Sequence, residues 1–190
     1  PVSISVVEHS VFTAEAIDAL KTCDVILGAV DNHAARYTLN RLCTQYLIPY
    51  LDTGVVIYAK PEVDFQHRLF TMVPGETSCM ECTRFALMDF DSIDQAFADP
   101  MRYRLMRAHG YIKNDSDASA PSVYPLNPLA AGTLMTELLN LVCGFRPLAR
   151  LVYGDFREGT SHQCQGPSFV EPSAESCPNC SFYNGRGDSE

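Results

Sequence analysis

Apolar and polar positions along this chain follow two rhythms that alternate. Short β-branched or apolar runs occur at Val2–Val7 ("VSISVV"), at Val25–Val30 ("VILGAV") and within "IPYLDTGVVIY", and each reads as a strand. Helical spacing fills the gaps. Thr13 is placed to cap a helix over "AEAIDALK", with Ala16, Ile17 and Leu20 on one face. A second helix is predicted from His33 to Tyr46, where Ala35, Leu39, Leu42, Cys43 and Tyr46 form one stripe. Val25–Val30 is apolar on both faces, as a central strand of a parallel sheet would be. Gly54 is expected to interrupt the third strand. Strand, helix, strand, helix, strand is the grammar of an α/β fold with right-handed crossovers.

Further on, the pattern changes. "FQHRLFTMV" (Phe65–Val73) reads as a strand of an antiparallel extension, and "VPGETSCMECTRF" as a turn-rich loop. From Asp89 to Ile112 the spacing is helical but broken by Pro100, and Lys113–Ser122 is a polar loop. "NPLAAGTLMTELLNLVCG" is a strong helix, with Pro128 near its first turn and Gly144 placed to end it. "ARLVYGDF" supplies the last expected strand. The tail from Gly159 is polar and irregular and closes on "GRGDS" (Gly185–Ser189). The expected division is a main unit over 1–158, with a loop region at about 89–122, and a tail over 159–190.

Composition narrows the classes. A chain of 190 residues, 46% hydrophobic, is enough for one domain with its own core. A formal net charge of −9 argues against a broad nucleic-acid surface. No run approaches the ~20 apolar residues of a membrane span, so no membrane partner is expected. No basic-then-apolar leader opens the sequence. Eight cysteines in such a chain, four of them in two CxxC pairs, suggest metal before disulfides in a reducing compartment, and cytoplasm is the expected location.

The pairs are Cys79 with Cys82, in "SCMEC", and Cys177 with Cys180, in "SCPNC". Two intervening residues let both sulfurs of a pair turn to one centre, and two such knuckles give the four-sulfur set that suits Zn²⁺. A four-thiolate shell has no open position, so the expected site is structural and ties the tail to the loop before Phe85. A redox CxxC is the weaker reading, because it leaves the second pair unexplained. His162 and Cys164, in "SHQC", are possible substitute ligands.

Asp31 and Asn32 end the apolar run Val25–Val30, and in open α/β sheets ligands sit at such strand ends. Capping of the helix from His33 accounts for both residues. A carboxylate that holds Mg²⁺ beside nucleotide phosphates accounts also for Arg36 and Asn40, which return on the same side. No GxGxxG and no GxxxxGK[ST] occurs anywhere.

"AVDNHAARYTLNRLC" resembles the DNxxxRxxLNxxC segment of the ThiF/MoeB/HesA family, relatives of the ubiquitin-activating enzymes. "IPYLDTG", the proline–glycine loop "VPGETSCMEC", the segment "PSVYPLNPLAAGTLMTELLNLVCGFRP" and the knuckle "SCPNC" follow in that family's order. The resemblance implies a Rossmann-like, mostly parallel sheet with an antiparallel extension and a structural four-cysteine zinc site. It implies ATP-dependent adenylation of the C-terminal carboxylate of a ubiquitin-like or sulfur-carrier protein, commonly by a homodimer. By motif, Asp31 would hold Mg²⁺ and the phosphates, Asn32 would lie at the nucleotide, and Arg36 would support the Asp31 loop or meet the acyl-adenylate. The family's glycine-rich loop belongs to an N-terminal half that is missing from these residues, so the chain alone is expected to be inactive. No cysteine lies between Cys82 and Cys143, which points to adenylation without a protein thioester. A peptide adenylyltransferase, or a catalytically silent zinc-stabilised binding module, is the alternative. Cys143 is expected in the core, while Phe145 and Pro147 suit either core packing or a dimer surface.

Overall fold

The computed structural model describes residues 2–30, 33–58, 64–82, 124–156, 160–163 and 177–188. Thr13 caps α1 (Ala14–Leu20), its hydroxyl accepting the Ala16 N–H at 3.4 Å. β1 (Ile26–Gly28) leads to α2 (His33–Tyr46), whose bounds are those expected, and then to β2 (Tyr50–Tyr58). β3 (Asp64–Met72) returns beside β2 with nine paired residues, from Tyr50 opposite Met72 to Tyr58 opposite Asp64. α3 (Leu126–Cys143), β4 (Leu151–Asp155), β5 (Thr160–Gln163) and α4 (Pro178–Tyr183) complete the order. The sheet runs β1-β2-β3-β4-β5.

An α/β sheet with a parallel element and an antiparallel extension is what the pattern predicts, but the proportions differ. Among the described residues β1–β2 is parallel, whereas β2–β3, β3–β4 and β4–β5 are antiparallel. β1, expected to be central, is the edge of this sheet, and Leu27 is 38% exposed. An apolar run records burial on average; it does not record which neighbours supply the ladder. Val2–Val7 forms no strand here. Val2, Ile4 and Val6 stand in solvent, because strand geometry needs a paired neighbour and none of the described residues runs beside them. Gly54 does not interrupt β2. A Cβ there would lie 2.8 Å from Arg36 Nη2, so the glycine serves close approach of that guanidinium. The tail is less irregular than its polarity suggests: β5 pairs with β4, and α4 follows Cys177. The segments at 89–112 and 113–122 lie outside the described residues.

Alternation along β2 assigns its two faces. Tyr50 joins Ile26, Phe70, Met72 and Leu151 against Leu39, Leu42 and Cys43 of α2. Leu51 joins Leu69, Ala149 and Val152 against Leu134 of α3. α3 ends as predicted, at Gly144 in the left-handed region (φ 64°), whose N–H donates to the Asn140 carbonyl at 2.7 Å. Its buried positions are Leu126, Ala130, Leu134, Glu137 and Asn140. Cys143 is exposed rather than in the core. Nine positions beyond Leu134 is two and a half turns at about 3.6 residues per turn, the opposite face. Phe145 is exposed as well, continuing a surface stripe of Met135, Leu139 and Val142.

Glu137 sits in the apolar layer with no exposure and four donors. The Ala149 N–H (2.8 Å), Asn140 Nδ2 (3.3 Å) and both terminal nitrogens of Arg146 point at its carboxylate. It therefore pins the loop from α3 into β4. Glu137→Ala is expected to destabilise the protein by about 3 kcal/mol, because it leaves a buried N–H and a guanidinium without their acceptor. Denaturant unfolding of the wild type and variant measures this directly.

Candidate functional site

The first cysteine pair is shaped by a tight turn after β3. The Thr77 hydroxyl accepts the Val73 N–H at 2.7 Å, and the N–H groups of Glu76 and Thr77 both donate to the Val73 carbonyl at 2.9 Å. Gly75 takes φ 83° in that turn, a value side chains with a Cβ rarely adopt. The chain then rises through Cys79 to Cys82, whose N–H points at Cys79 Sγ at 3.4 Å. The second pair opens α4: Cys177 is its N-cap, Pro178 is at the first helical position, and Cys180 follows within the helix.

The four sulfurs converge. Cys79 lies 3.7 Å from Cys82 and 3.7 Å from Cys177, and Cys82 lies 3.4 Å from Cys180. All four ligand atoms fall within 4.8 Å of one another. Four ligands at about 2.3 Å from a tetrahedral Zn²⁺ would stand about 3.8 Å apart, so the thiols fit that ion. The Cys79 thiol is held far below its ordinary range, chiefly by the hydrogen bond from the Cys177 thiol and then by those of Cys180 and Cys82. The His162 side chain and Cys164, the possible substitute ligands, lie outside what the structure describes. A four-sulfur shell leaves no open position, so a metal held here would be structural.

Helix α2 is the seat of both knuckles. Asn40 Oδ1 accepts the Met80 N–H at 2.9 Å, inside the first. The Thr44 hydroxyl accepts Asn179 Nδ2 at 2.8 Å, inside the second. Glu81 Oε2 accepts the Asn179 N–H at 3.1 Å, joining the two. Asn40 therefore faces the cysteines, not the strand end it was expected to share with Arg36. The "GRGDS" tail is fastened to the same helix: the N–H groups of Gly185 and Gly187 donate to the Thr44 and Gln45 carbonyls, and Asp188 meets Lys21 at 2.6 Å and the Tyr46 hydroxyl at 2.5 Å.

One helical turn earlier, α2 delivers Arg36 to the residues just beyond β1 and to the interior of β2. Asp31 and Asn32 lie outside the described residues. Arg36 is buried, and its Nε donates to Asp52 Oδ2 at 2.9 Å. Its Nη2 donates to the carbonyl of Val30, and to that of Thr53 at 3.5 Å. Asp52 is fully buried and accepts the Tyr50 hydroxyl at 3.0 Å. Burial pushes the Asp52 carboxyl upward, against the opposing pull of Arg36 and Arg68. Burial also raises the Tyr50 phenol well above its usual value, which leaves it a donor. Sequence reasoning overlooked Asp52, Thr44, Asn179 and Glu137. The available signal was a carboxylate inside an otherwise apolar strand, "YLDTGV".

The profile of the ThiF family matches residues 1–179. Among solved structures, E. coli MccB with MccA-N7isoASN is 17% identical with a TM-score of 0.56, the match covering 86% of this chain and 43% of that one. E. coli MccB with ATP is 15% identical with a TM-score of 0.55, covering 82% and 40%. E. coli MccB with AMPCPP and selenomethionine MccA is 16% identical with a TM-score of 0.54, covering 82% and 40%. At these identities the likeness is one of fold. The chain spans about two-fifths of the length of these MccB chains. A search of curated proteins returns no match.

Purified protein is expected to carry one zinc per chain by elemental analysis. Removing it, or substituting Cys177→Ser, is expected to lower stability by at least about 3 kcal/mol, a fall in Tm of roughly 6–12 °C for a chain of this size. Well under one metal per chain in protein purified without chelators would overturn the zinc assignment.

Proposed function

Because the chain belongs to the ThiF family, we propose that it is part of an enzyme that adenylates the C-terminal carboxylate of a ubiquitin-like or sulfur-carrier protein. The observation that carries this reading is the family match over residues 1–179, which takes in the DN…R segment and the first of the two knuckles whose four thiols converge in space. In this reaction a carboxylate oxygen attacks the α-phosphorus of ATP. An acyl-phosphate anhydride bond forms, the α–β phosphoanhydride bond breaks, and pyrophosphate leaves with the electron pair. Such chemistry is largely positioning and neutralisation of charge.

In this reading Asp31 would hold Mg²⁺, Asn32 would border the nucleotide, and Arg36 would support the backbone that presents them. Mg²⁺ supplies the positive charge that lets a carboxylate stand near phosphates. Arg36 has its guanidinium committed to Asp52 and to backbone carbonyls, which favours the supporting role over contact with the acyl-adenylate. The four-cysteine centre would hold Zn²⁺ with no part in the chemistry. No cysteine occurs between Cys82 and Cys143, so transfer to a protein thiol in that stretch does not belong to the reading. The exposed stripe of Met135, Leu139, Val142 and Phe145 suits a homodimer contact. Unpaired thiols and a four-cysteine centre suit a reducing cytoplasm. Among the described residues no helix is long and apolar enough to cross a membrane.

A second reading replaces the carrier protein by an MccA-like partner. What favours it is that two of the neighbouring structures above are of MccB together with MccA or MccA-N7isoASN.

Full-length protein, zinc-loaded and supplied with Mg²⁺, is expected to exchange radiolabelled pyrophosphate into ATP when given its acceptor from a panel of ubiquitin-like carriers and MccA-like chains. Asp31→Ala is expected to slow this exchange by roughly 100-fold or more, as loss of a positioned charge-stabilising group does. Unchanged exchange in that variant would remove Asp31 from the chemistry. No exchange with any acceptor would favour the silent binding module.

A further inference from the structure

Asp52 is a carboxylate in the interior of a sheet, and neither the apolar layer nor the cysteine centre uses it. Burying such a charge carries a desolvation penalty that an apolar pair of equal volume would avoid. The contacts of Asp52 show what it does hold. One carboxylate oxygen takes the Tyr50 hydroxyl at 3.0 Å, and the other takes Arg36 Nε at 2.9 Å. Arg36 then turns Nη2 to the Val30 carbonyl. Val30 is one peptide bond before Asp31. Carboxylate, guanidinium and carbonyl thus form a brace from the middle of β2 to the segment leaving β1. A guanidinium is planar with its donors in a rigid fork, so the atom that holds Nε also sets where Nη2 points.

The backbone is cut to fit this brace. A Cβ on Gly28 would lie 2.6 Å from Asp52 Oδ1, and one on Gly54 would lie 2.8 Å from Arg36 Nη2. Both glycines lie beside the brace, and each leaves space that one of its charged ends occupies.

We propose that Asp52 is a positioning residue: acting through Arg36, it fixes the Val30 carbonyl and so the backbone that presents Asp31 to Mg²⁺·ATP. This rests on the adenylation reading above.

The test uses the full-length protein, with Mg²⁺·ATP and ATP without added Mg²⁺ as probes in titration calorimetry. Asp52→Asn keeps the side-chain volume but loses the charge that orients Arg36. It is expected to weaken Mg²⁺·ATP binding at least about tenfold and Mg²⁺-free ATP binding by less than about threefold, with zinc content unchanged. Arg36→Lys keeps a positive charge but cannot serve carboxylate and carbonyl together, so the same selective loss is expected; it decides the matter should Asp52→Asn fail to fold. Tyr50→Phe removes the other partner of Asp52 and is expected to stay within about threefold of wild type for both probes. A folded Asp52→Asn protein that binds Mg²⁺·ATP like wild type, or that loses both probes equally, overturns the proposal. So does a selective loss in Tyr50→Phe that matches Asp52→Asn. Wild-type protein that does not bind Mg²⁺·ATP overturns the adenylation reading itself, and this inference with it.

Discussion

Convergence of four sulfurs is the constraint on which the rest depends. Cys79 and Cys82 leave the end of β3, Cys177 and Cys180 open the last helix, and the two pairs meet within bonding distance of one centre. A long stretch of chain separates them, so the closure removes many conformations from the unfolded ensemble. It also decides what α2 must bury. Asn40 and Thr44 point at the knuckles, and their hydrogen bonds to Met80 and Asn179 make the helix the floor beneath the cysteines. Tail residues beyond α4 follow the same helix to its end. A six-residue helix such as α4 has little stability of its own; here it rests on Cys177, Cys180 and the guanidinium of Arg41, 4.0 Å from the Tyr183 ring.

Because α2 is seated at its middle and C-terminal turns, its first turns are held in register with the strand ends. Arg36 comes from the same helix face as Asn40, one turn earlier, and reaches Asp52 and Val30 instead of the knuckle. Structural centre and candidate nucleotide site are therefore two ends of one rigid element. On the other face of the sheet, Glu137 plays the comparable part for α3 and β4, with its carboxylate bound by Asn140, Arg146 and Ala149. In both layers a buried carboxylate with several donors marks where two segments distant in sequence must keep a fixed relation. A fully paired set of this kind specifies geometry more tightly than apolar contact does.

Much of this could be seen in the residues. The stripe Ala35, Leu39, Leu42, Cys43 gave α2, Thr13 gave the cap of α1, and Gly144 gave the end of α3. The CxxC spacing pointed to the four cysteines whose thiols converge. What misled were runs whose fate depends on a neighbour. Val2–Val7 and Val25–Val30 look equally like strands, yet the first has no ladder among the described residues and the second lies at the edge. "TSHQ" looks like loop and is β5, because β4 offers it an edge. Cys143 looks apolar by context and faces solvent, since the helix is rotated by its other contacts. Asp52 and Glu137 gave no periodic signal at all. A carboxylate within an apolar run marks Asp52 as unusual, but what it holds is recognisable only once its partners are known.

Local chemistry alone determined α1, α2 and α3, the turn before the first knuckle, the two cysteine pairs and the family resemblance, because each rests on motifs of residues a few positions apart. Only the tertiary structure decided the strand order, the direction of each ladder, the face on which Cys143 and Phe145 lie, and the brace from Asp52 through Arg36 to Val30. Those features join residues far apart in the chain. Their energies come from desolvation and hydrogen-bond geometry, which exist only after the segments have met.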